Sequence, residues 1–316
     1  MIRFRAFRNA DPPAIAAVWR SQPPSRNLLQ PMSPALLERH VLAKPFFDRD
    51  GFIVAEKDDR LVGFVHAAFG PRPDLEDLDQ KVGLTNFLLV VPDVEWNSVA
   101  AELLRHSEDY LRRRGAQTLY AGAVPPVSPY YLGLYGGCQQ RGVYRSDKAW
   151  LALYENHGYQ QEDNWLVLQR DLMGFRPQIN RQQMAIRRGH VLDAVFDPPT
   201  HSWWEACTLG ETERTCFYLS RKGQTQACGH ALFWDMAPIA ESWGIRAAGL
   251  LHLEIDTSIR RQGHATYLLG EALRQLQAQG VSMAEVQIHE SDQASLGLFR
   301  KLEFTEVDQM VLLKKS

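Results

Sequence analysis

The stretch from Leu250 to Gly280, LLHLEIDTSIRRQGHATYLLGEALRQLQAQG, admits few folds. Leu250 to Ile255 are mostly apolar, Asp256 to Arg261 turn the chain, and Gly263 and Ala265 stand at the mouth of a helix. Ala265, Leu268, Leu269, Ala272, Leu273 and Leu276 recur at alternating spacings of three and one. That gives the helix one apolar face and leaves Glu271, Arg274, Gln275 and Gln279 opposite it. Gly280 is placed to stop it. A strand that feeds a helix in this way is an α/β element whose turn exposes unpaired N–H groups and a partial positive charge. Arg260 and Arg261 add fixed charge, and the small residues Gly263 and Ala265 leave room for an anion such as a phosphate. The alternative is an ordinary strand-to-helix turn with a basic surface residue.

The element occurs twice. Leu84 to Val91 read as a strand, Asn97 to Arg114 as a helix stopped by Gly115, and Ala116 to Ala121 as the next strand. Leu103 and Leu104 lie 165 residues before Leu268 and Leu269, and Gly115 lies 165 before Gly280. Further on, LALYENHGY from Leu151 matches LGLFRKLEF from Leu296 at an offset of 145. The difference falls in the Tyr- and Gly-rich loop that begins at Val124 and carries Tyr130, Tyr131, Tyr135, Gly136 and Gly137. Two matches in the same order imply a duplicated unit. Two unrelated α/β domains of similar periodicity are the other reading. The length, 316 residues, also exceeds what one core usually organises.

In the first unit, Ile2 to Phe7 form a strand, Asp11-Pro12 and Pro34 open helices, and Gly51 to Glu56 pairs with Leu61 to Phe69 as a hairpin. Its last strand is Trp165 to Leu172, and the polar segment Met173 to Gln183, with Gly174 and Pro177, separates the units. The boundaries are therefore 1–172 and 178–316. The second unit should begin with a strand at Met184 to Arg188 and an irregular or helical stretch around Trp203 and Trp204. Strands at Thr215 to Arg221 and Gln226 to Met236 precede the Leu250 element. A strand at Met283 to His289, a helix at Asp292 to Leu302 and a strand at Phe304 to Leu313 follow it.

The pattern R-x-x-G-x-A (Arg260, Gly263, Ala265) after an apolar strand resembles the pyrophosphate loop of the GCN5-related N-acetyltransferases, the GNAT superfamily. With the repeat, the chain resembles a tandem member. The resemblance implies an α/β (α+β) fold of two tandem GNAT-like domains, each a mixed, mostly antiparallel twisted sheet flanked by helices. It implies acetyl-CoA as acyl donor and a primary amine of a small molecule as acceptor. The pantetheine would pair with the backbone of Leu253, Glu254 and Ile255. The diphosphate would take N–H groups from Arg261, Gln262, Gly263, His264, Ala265 and Thr266, beside Arg260. Asp292 falls where relatives often carry an asparagine near the coenzyme, and it is also a good N-cap for the last helix.

In the first unit the same loop falls on Glu95, Trp96, Asn97, Ser98, Val99 and Ala100. A carboxylate beside a diphosphate is repulsive by roughly 1 to 4 kcal/mol. Coenzyme binding is therefore expected in the second unit, with the first as a degenerate copy.

His252 and Glu254 are two residues apart on the strand, share a face, and are the candidates for the base. A satisfied interior histidine and a solvated carboxylate are the structural alternatives. The family's usual acid, a tyrosine, falls at Phe299, whereas the first unit keeps Tyr154 there. Gly249 and Leu251 stand where many relatives have a carboxylate. These departures leave room for a non-catalytic acyl-CoA-binding or interaction protein. The Tyr- and Gly-rich loop fits a lid, a recognition loop or a packed structural loop.

Composition excludes other classes. A hydrophobic share of 45%, a charged share of 23% and a net charge of -2 give no basic footprint for nucleic acid. The same balance argues against transfer of aminoacyl groups from tRNA. Cys138, Cys207, Cys216 and Cys228 form no C-x-x-C pair and no His pair has a metal-helix spacing, so no metal is expected. The N-terminus lacks a signal-peptide core and no apolar run reaches membrane-spanning length, so a cytoplasmic protein without membrane partners is expected.

Overall fold

The computed structural model describes residues 1–92, 95–123 and 130–316. In the first half the elements are β1 (Ile2–Ala6), α1 (Pro12–Arg20), α2 (Pro34–Leu37), β2 (Phe52–Lys57), β3 (Arg60–Pro71) and β4 (Leu78–Val90). α3 (Trp96–Arg113), β5 (Thr118–Ala121), β6 (Val143–Tyr144), α4 (Lys148–Asn156) and β7 (Gln160–Asp171) complete it. The second half runs α5 (Arg181–Gly189), β8 (His190–Phe196), α6 (Trp203–Leu209), β9 (Arg214–Arg221), β10 (Ala227–Asp235), α7 (Ala237–Ser242) and β11 (Ala247–Ile255). It ends with α8 (His264–Ala278), β12 (Met283–His289), α9 (Gln293–Lys301) and β13 (Thr305–Lys315).

The β2–β3 hairpin turns through Asp58 and Asp59 with φ of 50° and 60°, the backbone a two-residue hairpin needs. The strands join edge to edge into one 13-stranded sheet in the order β1-β2-β3-β4-β5-β13-β7-β12-β11-β10-β9-β8, with β6 on β13. The halves exchange their last strands. β13 lies between β5 and β7, while β7 pairs with β12 from Met283↔Asp171 to His289↔Trp165.

Within each half one parallel pair is short. β4 pairs with β5 only from Val82 to Thr85, and β11 with β12 only from Ala247 to Gly249. Beyond these residues the strands separate. An extra residue bends each fourth strand at the same place, Asn86 in β4 and Leu251 in β11, again 165 residues apart.

α8 and α9 cover one face of the second half, where Leu268, Leu269, Leu273 and Phe299 pack on Phe217, Phe233 and Leu250. Each such buried side chain contributes about 1.5–3 kcal/mol. In the first half, Trp19, Phe52, Phe64, Phe87, Tyr130, Tyr131 and Tyr135 form an aromatic core.

One expectation needs correction, and one open alternative is decided. The segment Met184 to Arg188 is not a strand but part of α5, and the strand β8 begins at His190. Its alternation of Met184 and Ile186 suits a strand, but Asn180 caps the segment by accepting from Gln183 N–H at 2.9 Å. Gln183 and Ile186, three apart, then bury on one helical face. The Tyr- and Gly-rich loop is not a free lid in its described part: Tyr130, Tyr131 and Tyr135 are buried in the first half's core. Val124 to Pro129 lie outside the described residues. α7, with a proline in its first turn, escaped the sequence reading. Among the described residues no helix is long and apolar enough to cross a membrane.

Candidate active site

The N-cap of α8, Gly263, has φ +84° and no side chain to close the first turn, and the helix's first backbone bond is Tyr267 N–H to Gly263 O at 3.0 Å. The N–H groups of His264, Ala265 and Thr266 precede that bond and have no helical acceptor. The carbonyls of the loop are tied back by α5. Gln182 Nε2 donates to Gln262 O at 2.9 Å and Gln183 Nε2 to Gly263 O at 3.3 Å. Sequence reading missed both glutamines, because nothing local marks a helix that packs 80 residues away.

They also change the reason for Gly263. A Cβ there would meet Gln182 Cδ at 2.9 Å and Gln183 Nε2 at 3.1 Å, so the glycine serves the left-handed turn and the approach of α5 rather than opening space for an anion. Arg261 also turns with positive φ, 63°. Arg260 bends back, its Nε donating to Ile255 O at 2.9 Å, which leaves its two terminal NH2 groups for an anion. His264 is buried, its ring edge-on to His190 at 4.9 Å, and burial lowers its pKa. Its imidazole is thus part of the packing, and only its N–H faces the turn.

Where β11 leaves β12, its edge is open. Leu251 O accepts from Gln139 Nε2 at 3.0 Å and Ile255 O from Arg260. Alternate residues of a strand turn both backbone groups to the same side, so Leu253, midway between those two, presents its N–H and C=O to the gap. Glu254 pairs with His230 across β10 instead.

On the face opposite α8, His252 Nε2 lies 3.6 Å from Glu254 Oε2, and both side chains are more than half exposed (55% and 56%). The expected pair is therefore brought together. A third group joins it from the neighbouring strand, His230, whose ring stacks on His252 at 5.0 Å. Burial, then the neighbouring His252, lowers the His230 pKa. One ligand-type atom from each of His230, His252 and Glu254 falls within 4.8 Å of the others, a donor set that suits proton exchange and equally a divalent transition metal. The sequence expectation of no metal rested on spacing along the chain, and the 22 residues from His230 to His252 hide a cross-strand neighbour.

Phe299 is buried against Phe304 at 5.1 Å between the ring centroids, and Tyr154 is buried at the matching place of the first half. Asp292 caps α9, accepting from Ser295 N–H at 3.0 Å and from Ser295 Oγ at 2.6 Å. Both of its carboxylate oxygens are thus engaged locally. The N-cap of α3 is Glu95, which is exposed and makes no capping bond.

The first half also reaches onto the sheet of the second. Beyond Tyr135 the loop crosses over. Cys138 N–H donates to the buried Glu285 at 2.7 Å, Gln287 Nε2 to Gln139 O at 2.6 Å, and Trp234 Nε1 to Cys138 O at 2.9 Å. Gly137 is required here, since a Cβ would collide with Glu285 Oε1. A separate cleft of about 450 Å³, lined by Phe196, Arg214, Trp234 and Arg246, opens at the other end of β10 and β11 and includes none of His230, His252, Glu254 and Arg260.

Two regions of the sequence, 16–135 and 182–304, match the Acetyltransferase (GNAT) family. Among solved structures, the chain is similar to a GCN5-related N-acetyltransferase from Sphaerobacter thermophilus, at 16% identity and a TM-score of 0.66 over 99% of this chain and 95% of that one. It is similar to a tandem GNAT protein from the clavulanic acid biosynthesis pathway, at 13% identity and a TM-score of 0.67 over 100% and 98%. It also resembles the glucosamine N-acetyltransferase region of a fungal multi-domain β-N-acetylglucosaminidase, at 14% identity and a TM-score of 0.72 over 100% of this chain and 38% of that one. No curated protein sequence matches it. With the family pattern matched once in each half, and a fold shared with tandem GNAT proteins end to end, the chain belongs to the Acetyltransferase (GNAT) family.

Proposed function

We propose that this N-acetyltransferase binds acetyl-CoA in its second unit, 178–316, and transfers the acetyl group to a primary amine of a small molecule, with the unit 1–172 in a supporting role. The observation that carries the reading is the conjunction, in the second half alone, of an open β11 edge, an uncapped α8 start with arginines, and exposed His252 and Glu254 beside them. At the corresponding places the first half has Glu95 at its helix start and the buried Phe87 and Leu89 on its strand.

In this reading the α8 N–H groups and Arg260 take the diphosphate. Leu253 pairs with the pantetheine, and Arg261, Gln262, Gly263, His264, Ala265 and Thr266 form the turn around the phosphates. Asp292 holds the start of α9, which would border the coenzyme. The amine nitrogen bonds to the acetyl carbon, the C–S bond breaks, and Glu254 or His252 takes the amine proton. Phe299 has no proton to give, so the leaving thiolate takes one from water.

Thiol release from acetyl-CoA with a panel of small amines tests this, with calorimetry for acetyl-CoA alongside. Turnover with any amine is the expected result. Tight binding without turnover across the panel would overturn it in favour of a non-catalytic acyl-CoA-binding protein, and absence of binding would overturn both.

A further inference from the structure

The mechanism above leaves one charged group of the crossing loop without a task. Arg141 is half-buried, stacked on Trp165 with its guanidinium carbon 3.7 Å from the ring centroid. Its Nε donates to Gln139 Oε1, and Gln139 in turn bonds Leu251 O, at the bend of β11 next to His252. Among the described residues no carboxylate pairs with it. The other half-buried arginines of the first half, Arg5 and Arg170, each have an acid partner among the described residues.

The surroundings are also short of partners. Trp165 Nε1 is buried without an acceptor and Gln287 Oε1 without a donor, and Gln287 is 6% exposed. The edge of Trp165 meets His289, whose Nε2 lies 2.7 Å from Asp163 Oδ1, so that carboxylate is already committed to a histidine. Desolvation pushes the Arg141 pKa down to about 10. Withdrawing a cation from water without a counter-charge is unfavourable, and an anion that arrives with a ligand would relieve it.

From this geometry we infer that Arg141, presented by the first half, binds a carboxylate carried by the amine acceptor of the second half. Nε is occupied and one face of the guanidinium is covered by Trp165, so the two terminal NH2 groups remain as a planar fork, which matches a carboxylate with two parallel bonds. The acceptor class is then an amino acid or a similar amine with an acid group, its amine directed across the β11–β12 gap toward His252 and Glu254. The inference rests on the proposed function for the identity of the reacting group, but the anion site can be measured without it.

Two measurements on the full-length protein decide the matter. In the first, the Arg141 Nε–H resonance, assigned by its loss in Arg141→Lys, is followed during titration with sodium acetate, L-phenylalanine, L-methionine and L-lysine. The controls are sodium chloride at equal ionic strength, phenylethylamine, 3-(methylthio)propylamine and cadaverine. A saturable shift with carboxylates and none with the controls is expected, whereas no shift with any carboxylate overturns the site. In the second, kcat/KM is compared for each amino acid and its carboxylate-free partner. Arg141→Gln should lower the value for the amino acid about 10- to 100-fold and for the plain amine less than threefold, with partial rescue by Arg141→Lys. Equal losses on both substrates overturn the inference. A resonance shift with no thiol release from any amine would keep the anion site and remove the proposed function instead.

Discussion

Phe87 and His252 occupy the same position in the two halves. Each is the first residue after the bulge of its strand, Phe87 facing His66 and His252 facing Leu232 across the hairpin. Phe87 is 1% exposed within an aromatic cluster, whereas the His252 side chain is 55% exposed. One fold has thus been used in two ways. In the first half the gap side of the sheet is filled by Tyr130, Tyr131 and Tyr135 from the loop. The continuation of that loop then lines the second half, where the early helix α6 is short and packs instead on Phe46, at 4.7 Å between Trp204 and Phe46 rings.

The first prediction concerns the base. Glu254→Gln, His252→Ala and the double variant are compared by thiol release with one competent amine. Loss of the base should lower kcat by about 10² to 10⁴ with little change in the KM for acetyl-CoA. The two groups are 3.6 Å apart, so the double variant should lose less than the product of the single losses. Rates within threefold of the parent in all three variants would remove side-chain base catalysis from this strand.

The second prediction separates charge from backbone at the phosphate turn. Arg260→Glu should weaken acetyl-CoA binding at least about tenfold, because it removes an attraction and adds a repulsion, each of roughly 1 to 4 kcal/mol, and about 1.4 kcal/mol is already tenfold. Gly263→Val should lower both binding and thermal stability, because the side chain meets Gln182 and Gln183 and the positive φ excludes a β-branched residue. Gln183→Ala tests the brace alone, and a Gly263→Val protein that melts like the parent would contradict the packing account.

The third prediction is a pH effect on stability. His66 is fully buried, bonded through Nδ1 to Tyr131 Oη at 3.0 Å, and desolvation pushes its pKa down to about 3. In the unfolded chain its pKa is near 6.5. Below that value the unfolded state binds a proton that the folded state refuses, so stability falls with falling pH, by at most about 1.4 kcal/mol per unit, down to the folded pKa. His66→Phe removes this dependence. The urea midpoint of the parent should drop more between pH 7 and pH 5 than that of the variant, and identical drops would refute the assignment.

Much of this was legible in the sequence because it is local. The helix face of Leu268, Leu269 and Leu273, the stop at Gly280 and the 165-residue offset all follow from spacing. The pairing of His252 with Glu254 follows from strand alternation. What could not be read is non-local. The exchange of β7 and β13 is a pairing between strands far apart in the chain, which local spacing does not report. Gln182 and Gln183 matter through a contact with Gly263, and Arg141 through the crossing of a loop between halves. The segment Met184 to Arg188 suits a strand by the alternation of Met184 and Ile186, and only the cap at Asn180 marks it as part of a helix.

The fourth prediction tests the geometry of the candidate catalytic cluster by a route independent of rate loss on mutation. His230, His252 and Glu254 offer three ligand-type atoms within 4.8 Å, two imidazoles and a carboxylate, and zinc takes such donors at about 2.0–2.2 Å from each. Closing that distance calls for rotation of the exposed His252 and Glu254 side chains toward the half-buried His230. A bound ion would occupy the lone pairs that the amine proton needs, so zinc and catalysis compete for the same atoms. Micromolar zinc should therefore inhibit acetyl transfer reversibly, with activity returning on addition of EDTA. His230→Ala removes one ligand without removing either base candidate, so it should weaken zinc inhibition about tenfold or more while the metal-free rate changes far less than in His252→Ala. If zinc inhibits the His230→Ala protein at the same concentration as the parent, the three side chains do not act together as one site, and His230 has no part in it.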